Sequence, residues 1–378
     1  MSEKIWLSKP HISYFEEKFI KSAFETNWLT TRGENIDEFE EQIENYIGEK
    51  KYAVALNSGT SAIHLALILL GVQENDEVIC PSFTFCASAN PILYNKAIPV
   101  FVDCEMDTWN ICPFFLEEAI KDRIEKGKKP KAIIVVNSYG MPPKWDEIIL
   151  ISKTYNIPIV EDSAEALGAV YKNKKCGTFG DFGIFSFNGN KIITTSSGGA
   201  LICKSKALKS KAILIATQAN RGKTSYKHSE LGFNYRMSNV LAGIGRGQMN
   251  VIEERIKQRR NVNFFYREIF KNTNDIILQS EPSSEYLSNF WLSCILINDT
   301  DNKYCLKKIK KIFKEKNIEV RNLWRPLHTQ KLYKNFLYYG KGTDEYLFKN
   351  GLCLPSSSNL TNKELLRIAS TLKNIFHV

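Results

Sequence analysis

Between residues 52 and 160 the chain alternates short apolar runs with amphipathic ones, and no other feature restricts its fold so tightly. The runs 52–56, 77–80, 98–102, 131–137 and 157–160 are short and mostly apolar and predict buried strands. Between them, 61–70, 85–94, 114–120 and 144–155 carry helical spacing, and Gly71 stops the first. Strands alternating with helices predict a mostly parallel sheet with helices on both faces.

Ahead of this region, 13–26 sets Phe15, Phe19, Ile20 and Phe24 on one helical side, and 36–47 is a second amphipathic helix closed by Gly48. The intervening 27–33 reads as a loop. From Met237 a helical pattern runs to about Phe270. Beyond it, 291–297 and 319–322 read as strands, 303–316 as a basic amphipathic helix and 362–375 as a last helix. The 378 residues exceed the ~250–300 at which one core stops growing. The expectation is therefore a large α/β/α domain over 1–250 and a small α+β domain over 251–378.

The nine cysteines lack metal-ligand spacing, and Cys80, Cys203 and Cys294 fall in apolar runs, as reduced core thiols would. Met1-Ser2-Glu3-Lys4 leads straight into Ile5-Trp6-Leu7, and apolar runs such as 62–70 are too short to span a membrane, so a cytoplasmic protein is expected. The formal charge of +10 is spread along the chain with no aromatic-plus-basic reading motif, which argues against nucleic acid. The excess favours an anionic substrate such as a nucleotide diphosphate.

Chemistry-bearing residues gather at strand ends. Asn57-Ser58-Gly59-Thr60-Ser61 lies between a strand and a helix, where backbone N–H groups and the Thr60 hydroxyl can receive a phosphate; a plain N-cap accounts for it equally well. Phe85 follows the next strand and suits either stacking on a flat ligand or the core. Asp162 closes a strand of its own, suited to keep a ring nitrogen protonated or to cap a helix. Gly183-Ile184-Phe185-Ser186-Phe187 reads as a strand and Asn188-Gly189-Asn190 as a turn, which leaves Lys191 just past a strand end. Its amine, of reference pKa ~10.4, needs burial or neighbouring positive charge to become a nucleophile. An anion cradle, a stacking face, an acid and a lysine, in this order, are what pyridoxal phosphate requires, with no metal.

On these motifs, together with Pro81-Ser82-Phe83-Thr84-Phe85, Gly180-Asp181-Phe182-Gly183 and Glu230-Leu231-Gly232-Phe233-Asn234-Tyr235-Arg236-Met237-Ser238, the chain resembles the DegT/StrS sugar aminotransferases. The resemblance covers nearly the whole length. It implies the aspartate-aminotransferase-like fold of type I pyridoxal-phosphate enzymes. It also implies that Lys191 binds the cofactor covalently and shuttles protons, that Asp162 pairs with the pyridine nitrogen, and that Phe85 stacks on the ring. Gly59, Thr60 and Ser186 would hold the phosphate, with Ser58, Glu165 and Asn188 among the cofactor contacts. Asn234 would reach the phosphate of a neighbouring subunit, which implies a homodimer with shared sites. Trp28, Arg325 and His328, the last two in Trp324-Arg325-Pro326-Leu327-His328, are expected on the substrate side.

Glu165, Asn188 and Gly351-Leu352-Cys353-Leu354-Pro355 resemble the UDP-N-acetylbacillosamine transaminase branch. That likeness implies transfer of the amino group of L-glutamate to the 4-keto group of a UDP-linked 2-acetamido-4-keto-6-deoxy sugar. Enzymes for GDP-linked 4-keto or dTDP-linked 3-keto sugars stay open, as does a non-catalytic cofactor-binding regulator. Arg236 and Arg246 fit either an ion pair within the fold or a contact with substrate.

Overall fold

The computed structural model describes residues 3–222, 225–298 and 303–377. Two helices, α1 (Phe15–Glu25) and α2 (Glu34–Ile47), precede β1 (Tyr52–Leu56). There follow α3 (Gly59–Leu69), β2 (Glu77–Pro81), α4 (Asn90–Tyr94), β3 (Ile98–Val102), α5 (Pro113–Glu125), β4 (Ala132–Val136), α6 (Trp145–Tyr155) and β5 (Ile159–Asp162). The hairpin of β6 (Val170–Tyr171) and β7 (Lys174–Lys175) leads to β8 (Phe182–Ser186), β9 (Gly199–Cys203), α7 (Lys206–Ala216), α8 (Asn239–Met249) and α9 (Ile252–Phe270). The remaining chain forms β10 (Ile276–Leu278), β11 (Tyr286–Leu287), β12 (Ser293–Ile297), α10 (Leu306–Glu315), β13 (Arg321–Asn322), β14 (Tyr338–Tyr339), α11 (Thr343–Asn350), β15 (Gly351–Leu354) and α12 (Asn362–Phe376).

The large sheet has the order β1-β9-β8-β5-β4-β2-β3-β14. Its neighbours pair in parallel except at β9, which runs opposite to both β1 and β8. All of the parallel strands therefore end at one edge of the sheet, and β9 begins there. This edge is where open α/β sheets bind ligands. Pleated strands buried on both faces must be apolar on both, as in the wholly buried Ala-Ile-Ile-Val-Val of β4. A second sheet, β10-β12-β15-β13, packs with α9, α10 and α12 around Ile295, Phe313, Leu352 and Leu372. The short β14 comes from the C-terminal third of the chain yet pairs with β3 in the large sheet.

Two expected helices are broken. The segment 85–94 holds only a single tight turn, Cys86–Ser88, before α4. Phe85 remains extended at φ −71°, ψ 146°, and Pro91 sits in the first turn of α4, where its missing N–H does no harm. The long helix from Met237 divides at Asn250 and Val251, because Val251 takes φ −118°, ψ 9° and its N–H turns back to the Gln248 carbonyl. Both halves keep the same apolar period, so the pattern alone could not reveal the kink.

Gly247 on α8 lets α1 approach closely, Gly245 lets α2 do so, and Gly243 lies against both. A Cβ at Gly247 would stand 2.6 Å from the Glu16 backbone nitrogen, and one at Gly245 2.6 Å from the Phe39 ring. Arg236 makes a buried pair with Glu40 at 2.6 Å and donates to the Ala55 carbonyl at 3.0 Å. Arg246 donates to Asn35 Oδ1 at 2.8 Å. Both arginines thus tie α8 and its lead-in loop to α2 and β1. Every cysteine is a free thiol, and six of them are buried. Among the described residues no helix is long and apolar enough to cross a membrane.

Candidate active site

The carboxyl-end edge of the large sheet opens into a cavity of about 380 Å³. Its walls come from successive strand ends: Ser58, Gly59 and Thr60 after β1, Thr84, Phe85 and Ser88 after β2, Asp162 and Glu165 at and after β5, and Ser186, Asn188 and Lys191 at and after β8. Residues scattered over more than 130 positions are thus gathered by strand polarity alone, a link from topology to chemistry.

The Ser58–Thr60 loop has the form that an anion cradle needs. Ser58, extended at φ −166°, caps α3 by accepting the Ser61 N–H at 3.0 Å, so the other free N–H groups of the first turn point out of the helix. Gly199 at the start of β9 lets the loop lie flat, since a Cβ there would stand 2.4 Å from the Gly59 nitrogen. Gly59 in turn packs beside Ser186, whose Cβ would lie 3.2 Å from any added Cβ.

Deeper in the cavity, Asp162 accepts the Ser88 hydroxyl on Oδ2 at 2.7 Å and the Ala164 N–H on Oδ1 at 3.1 Å. Burial pushes its pKa up, while the Ser88 hydrogen bond, the Ala164 N–H and the charge of Lys191 pull it back. Glu165 is likewise raised by burial and pulled back first by Lys191. Lys191 Nζ lies 3.5 Å from Glu165 Oε1 and 4.0 Å from the centre of the Trp291 ring. Between two carboxylates and an indole face, the amine is aimed inward and shielded from bulk water. Phe85 is half exposed on the wall, with its ring centre 5.4 Å from that of Trp324. Tyr139 lies parallel to Trp324 and Trp291 at 5.7 and 6.4 Å, and its Oη accepts the Trp324 N–H at 2.7 Å.

These residues fit pyridoxal phosphate. A short loop backed by glycine is sized for a phosphate, and a buried carboxylate on the wall suits a pyridinium. One lysine amine reaches the same space. Nine of the sequence-predicted residues line the cavity: Ser58, Gly59, Thr60, Phe85, Asp162, Glu165, Ser186, Asn188 and Lys191. Four do not line it within one chain. Asn234 is exposed, and its carbonyl accepts from Asn57 Nδ2 at 3.3 Å. Trp28 lines a separate groove with Thr26, Gly33 and Asn239. Arg325 points toward the Phe348 ring at 5.8 Å. His328 is wedged against Tyr338 with its Nδ1 2.7 Å from Ser82 Oγ and 3.4 Å from Asp344, contacts that fasten the loop after β13 to the large sheet. Trp291, Arg321 and Trp324 line the cavity although sequence reasoning did not single them out for it. They arrive from the second sheet and its loops, and no local spacing ties them to Lys191.

The profile of the DegT/DnrJ/EryC1/StrS aminotransferase family matches residues 10–373. EpsN of Bacillus subtilis (strain 168), provisionally named a pyridoxal phosphate-dependent aminotransferase, is 47% identical over 381 aligned residues, covering 100% of this chain and 97% of its own. The GDP-perosamine synthase of Escherichia coli O157:H7 is 32% identical, with 97% of each chain covered. A UDP-4-amino-4,6-dideoxy-N-acetyl-beta-L-altrosamine transaminase of Campylobacter jejuni (serotype O:23/36, strain 81-176) is 38% identical over 65% of this chain and 64% of its own. Among solved structures, Helicobacter pylori PseC, an aminotransferase involved in the biosynthesis of pseudoaminic acid, superposes with a TM-score of 0.89 at 25% identity, covering 99% of this chain and 100% of its own. The chain belongs to the DegT/DnrJ/EryC1/StrS aminotransferase family, is a sugar aminotransferase with the fold of type I pyridoxal-phosphate enzymes, and uses pyridoxal phosphate.

Proposed function

We propose that this aminotransferase moves the amino group of L-glutamate to the 4-keto group of a UDP-linked 2-acetamido-2,6-dideoxy-4-keto-hexose, giving a UDP-4-amino sugar. The observation that carries the chemical part is the convergence of Lys191, Asp162 and the Ser58–Thr60 loop on one cavity. When bound, the cofactor supplies the electron sink that makes a proton next to nitrogen removable.

The chain supplies everything else. The N–H groups of the Ser58–Thr60 loop, with Ser186, would hold the phosphate against the positive end of α3. Asp162, kept in reach of its charged form by Ser88 and Ala164, would hold the ring nitrogen protonated. Lys191 Nζ would take the proton from the α-carbon of the donor and hand it to the cofactor, and in the second half-reaction would move a proton from the cofactor to carbon four of the sugar. Phe85 would cover the ring, and the packed Tyr139, Trp291 and Trp324 keep water from the amine. Glu165 holds the lysine in place from the side, and Asn188 lies on the wall beside it. We place Asn234 of a second copy at the same phosphate, so the working unit in this reading is a homodimer.

The UDP sugar is supported by the 38% identity to the Campylobacter jejuni transaminase. A GDP-linked 4-keto sugar is the second reading, favoured by the GDP-perosamine synthase, which matches over 97% of this chain. Turnover on a panel of UDP-, GDP- and dTDP-linked keto sugars tests the choice. The expected result is a kcat/KM for the UDP-linked 4-keto sugar at least about 10²-fold above the others, as a site built around polar contacts can deliver. Preference for the GDP-linked sugar overturns the assignment.

A further inference from the structure

We propose that Arg321 binds the oxyanion of the incoming substrate, a carboxylate of the amino donor or the diphosphate of the nucleotide sugar. The inference rests on the amino-transfer reading of the cavity but not on the choice of nucleotide.

Charge is the starting point. The residues lining the cavity include two carboxylates, Asp162 and Glu165, and two cations, Lys191 and Arg321. Lys191 is committed to the cofactor, and the cofactor's own phosphate is served by the Ser58–Thr60 loop and Ser186. Both substrates of the reaction are anions, and each would enter a space that already holds two buried acids. Arg321 is the lining cation left to meet that charge.

Its placement suits the task. The pairing of Arg321 with Cys353 and Asn322 with Leu352 fixes β13 on the edge of the second sheet. Successive side chains of a strand point to opposite faces, and Asn322 accordingly turns away to accept Lys310 Nζ at 2.5 Å. Among the described residues the guanidinium is held by Glu319. Its Nε and Nη2 donate to Glu319 Oε1 at 2.9 and 2.6 Å, while Glu319 Oε2 accepts the Leu7 N–H at 3.1 Å. Glu319 is thereby anchored and orients the arginine without burying it. A planar fork oriented in advance loses little freedom on receiving an oxyanion. Arg325, four residues on, is directed toward Phe348 instead.

The test separates the two half-reactions in single turnovers of holoenzyme: L-glutamate with the aldehyde form of the cofactor, then keto sugar with the amine form. Arg321→Gln is expected to lower kcat/KM in at least one half by about 10- to 100-fold, the worth of a hydrogen bond to a charged group. Arg321→Lys, which keeps the charge and loses the fork, should lose less. Equilibrium dialysis of glutarate and of UDP against the same holoenzymes gives a readout independent of turnover, with weaker binding expected for the anion that Arg321 holds. Loss confined to the glutamate half and to glutarate assigns the carboxylate; loss confined to the sugar half and to UDP assigns the diphosphate. If both halves and both binding constants stay within about 3-fold of wild type, less than one such bond supplies, the proposal is overturned. A wrong nucleotide assignment would show separately, in the wild-type enzyme's preference among sugars.

Discussion

Nζ of Lys191 stands 3.5 Å from Oε1 of Glu165, and the other oxygen of that carboxyl takes the Tyr139 N–H at 2.7 Å. The amine is thus the nearby counter-charge for two buried acids, since it also pulls down Asp162. Burial raises both acids above the ordinary carboxylate range. An acid raised in the fold binds its proton more tightly there than in the unfolded chain. The folded state then holds the excess protons, and its stability falls as pH rises through the folded values. Without Lys191 both acids rise further and the fall continues to higher pH. In cofactor-free protein, thermal unfolding followed upward in pH from the ordinary carboxylate range, about pH 4, should therefore show a larger total drop for Lys191→Ala than for wild type. The excess is about 1.4 kcal/mol for every further tenfold gain in proton affinity of an acid. Parallel curves would contradict the coupling.

Of the groups that pull Asp162 back toward its charged form, Ser88 acts most strongly. Its hydroxyl donates to Oδ2 at 2.7 Å and pulls the acid down. Ser88→Ala should raise the Asp162 value further, so the acidic limb of the kcat/KM profile should move to higher pH, because a charge-assisted hydrogen bond to the ionised form is lost. An unmoved limb would separate Ser88 from the function of Asp162.

Gly199→Ala tests the proposed phosphate loop without replacing a polar side chain. The new Cβ would fall 2.4 Å from the Gly59 nitrogen and 2.4 Å from the Ser58 carbonyl carbon, so the loop must shift. Overpacking of this kind costs about 1–3 kcal/mol, and cofactor affinity measured by dialysis should fall about 10-fold or more. Wild-type affinity would show that the loop does not hold the phosphate.

The Tyr139 hydroxyl supports the opposite wall. It accepts the Trp324 N–H at 2.7 Å from a fully buried position. Tyr139→Phe leaves that N–H without its partner, and urea unfolding should show a loss of about 1–3 kcal/mol. A neutral result would mean that water replaces the hydroxyl.

Much of the site was legible in the sequence because strand polarity carries it. A residue just past the carboxyl end of a parallel strand must reach the same edge as its counterparts, so Ser58, Phe85, Asp162 and Lys191 could be brought together from their order alone. β9 was harder to see. Gly198-Gly199 and the short apolar run after it gave no sign that the strand would run antiparallel between β1 and β8. The second sheet hid its contributions for another reason. β13 is only two residues long, so the direction of each side chain near Trp324 depends on pairing with β15. Arg325 and His328 look equivalent to Arg321 in composition, yet that pairing puts Arg321 on the cavity and leaves the other two elsewhere. The kink at Val251 was invisible because α8 and α9 keep one period across it.

The most direct measurement is to reduce the holoenzyme with borohydride, digest it and locate the pyridoxyl mass by peptide sequencing. The adduct is expected on Lys191 and on no other lysine, with Lys191→Ala carrying none while unfolding as a native protein. A stable adduct on a different lysine, or full turnover by Lys191→Ala, would contradict the assignment of Lys191 as the cofactor's covalent partner.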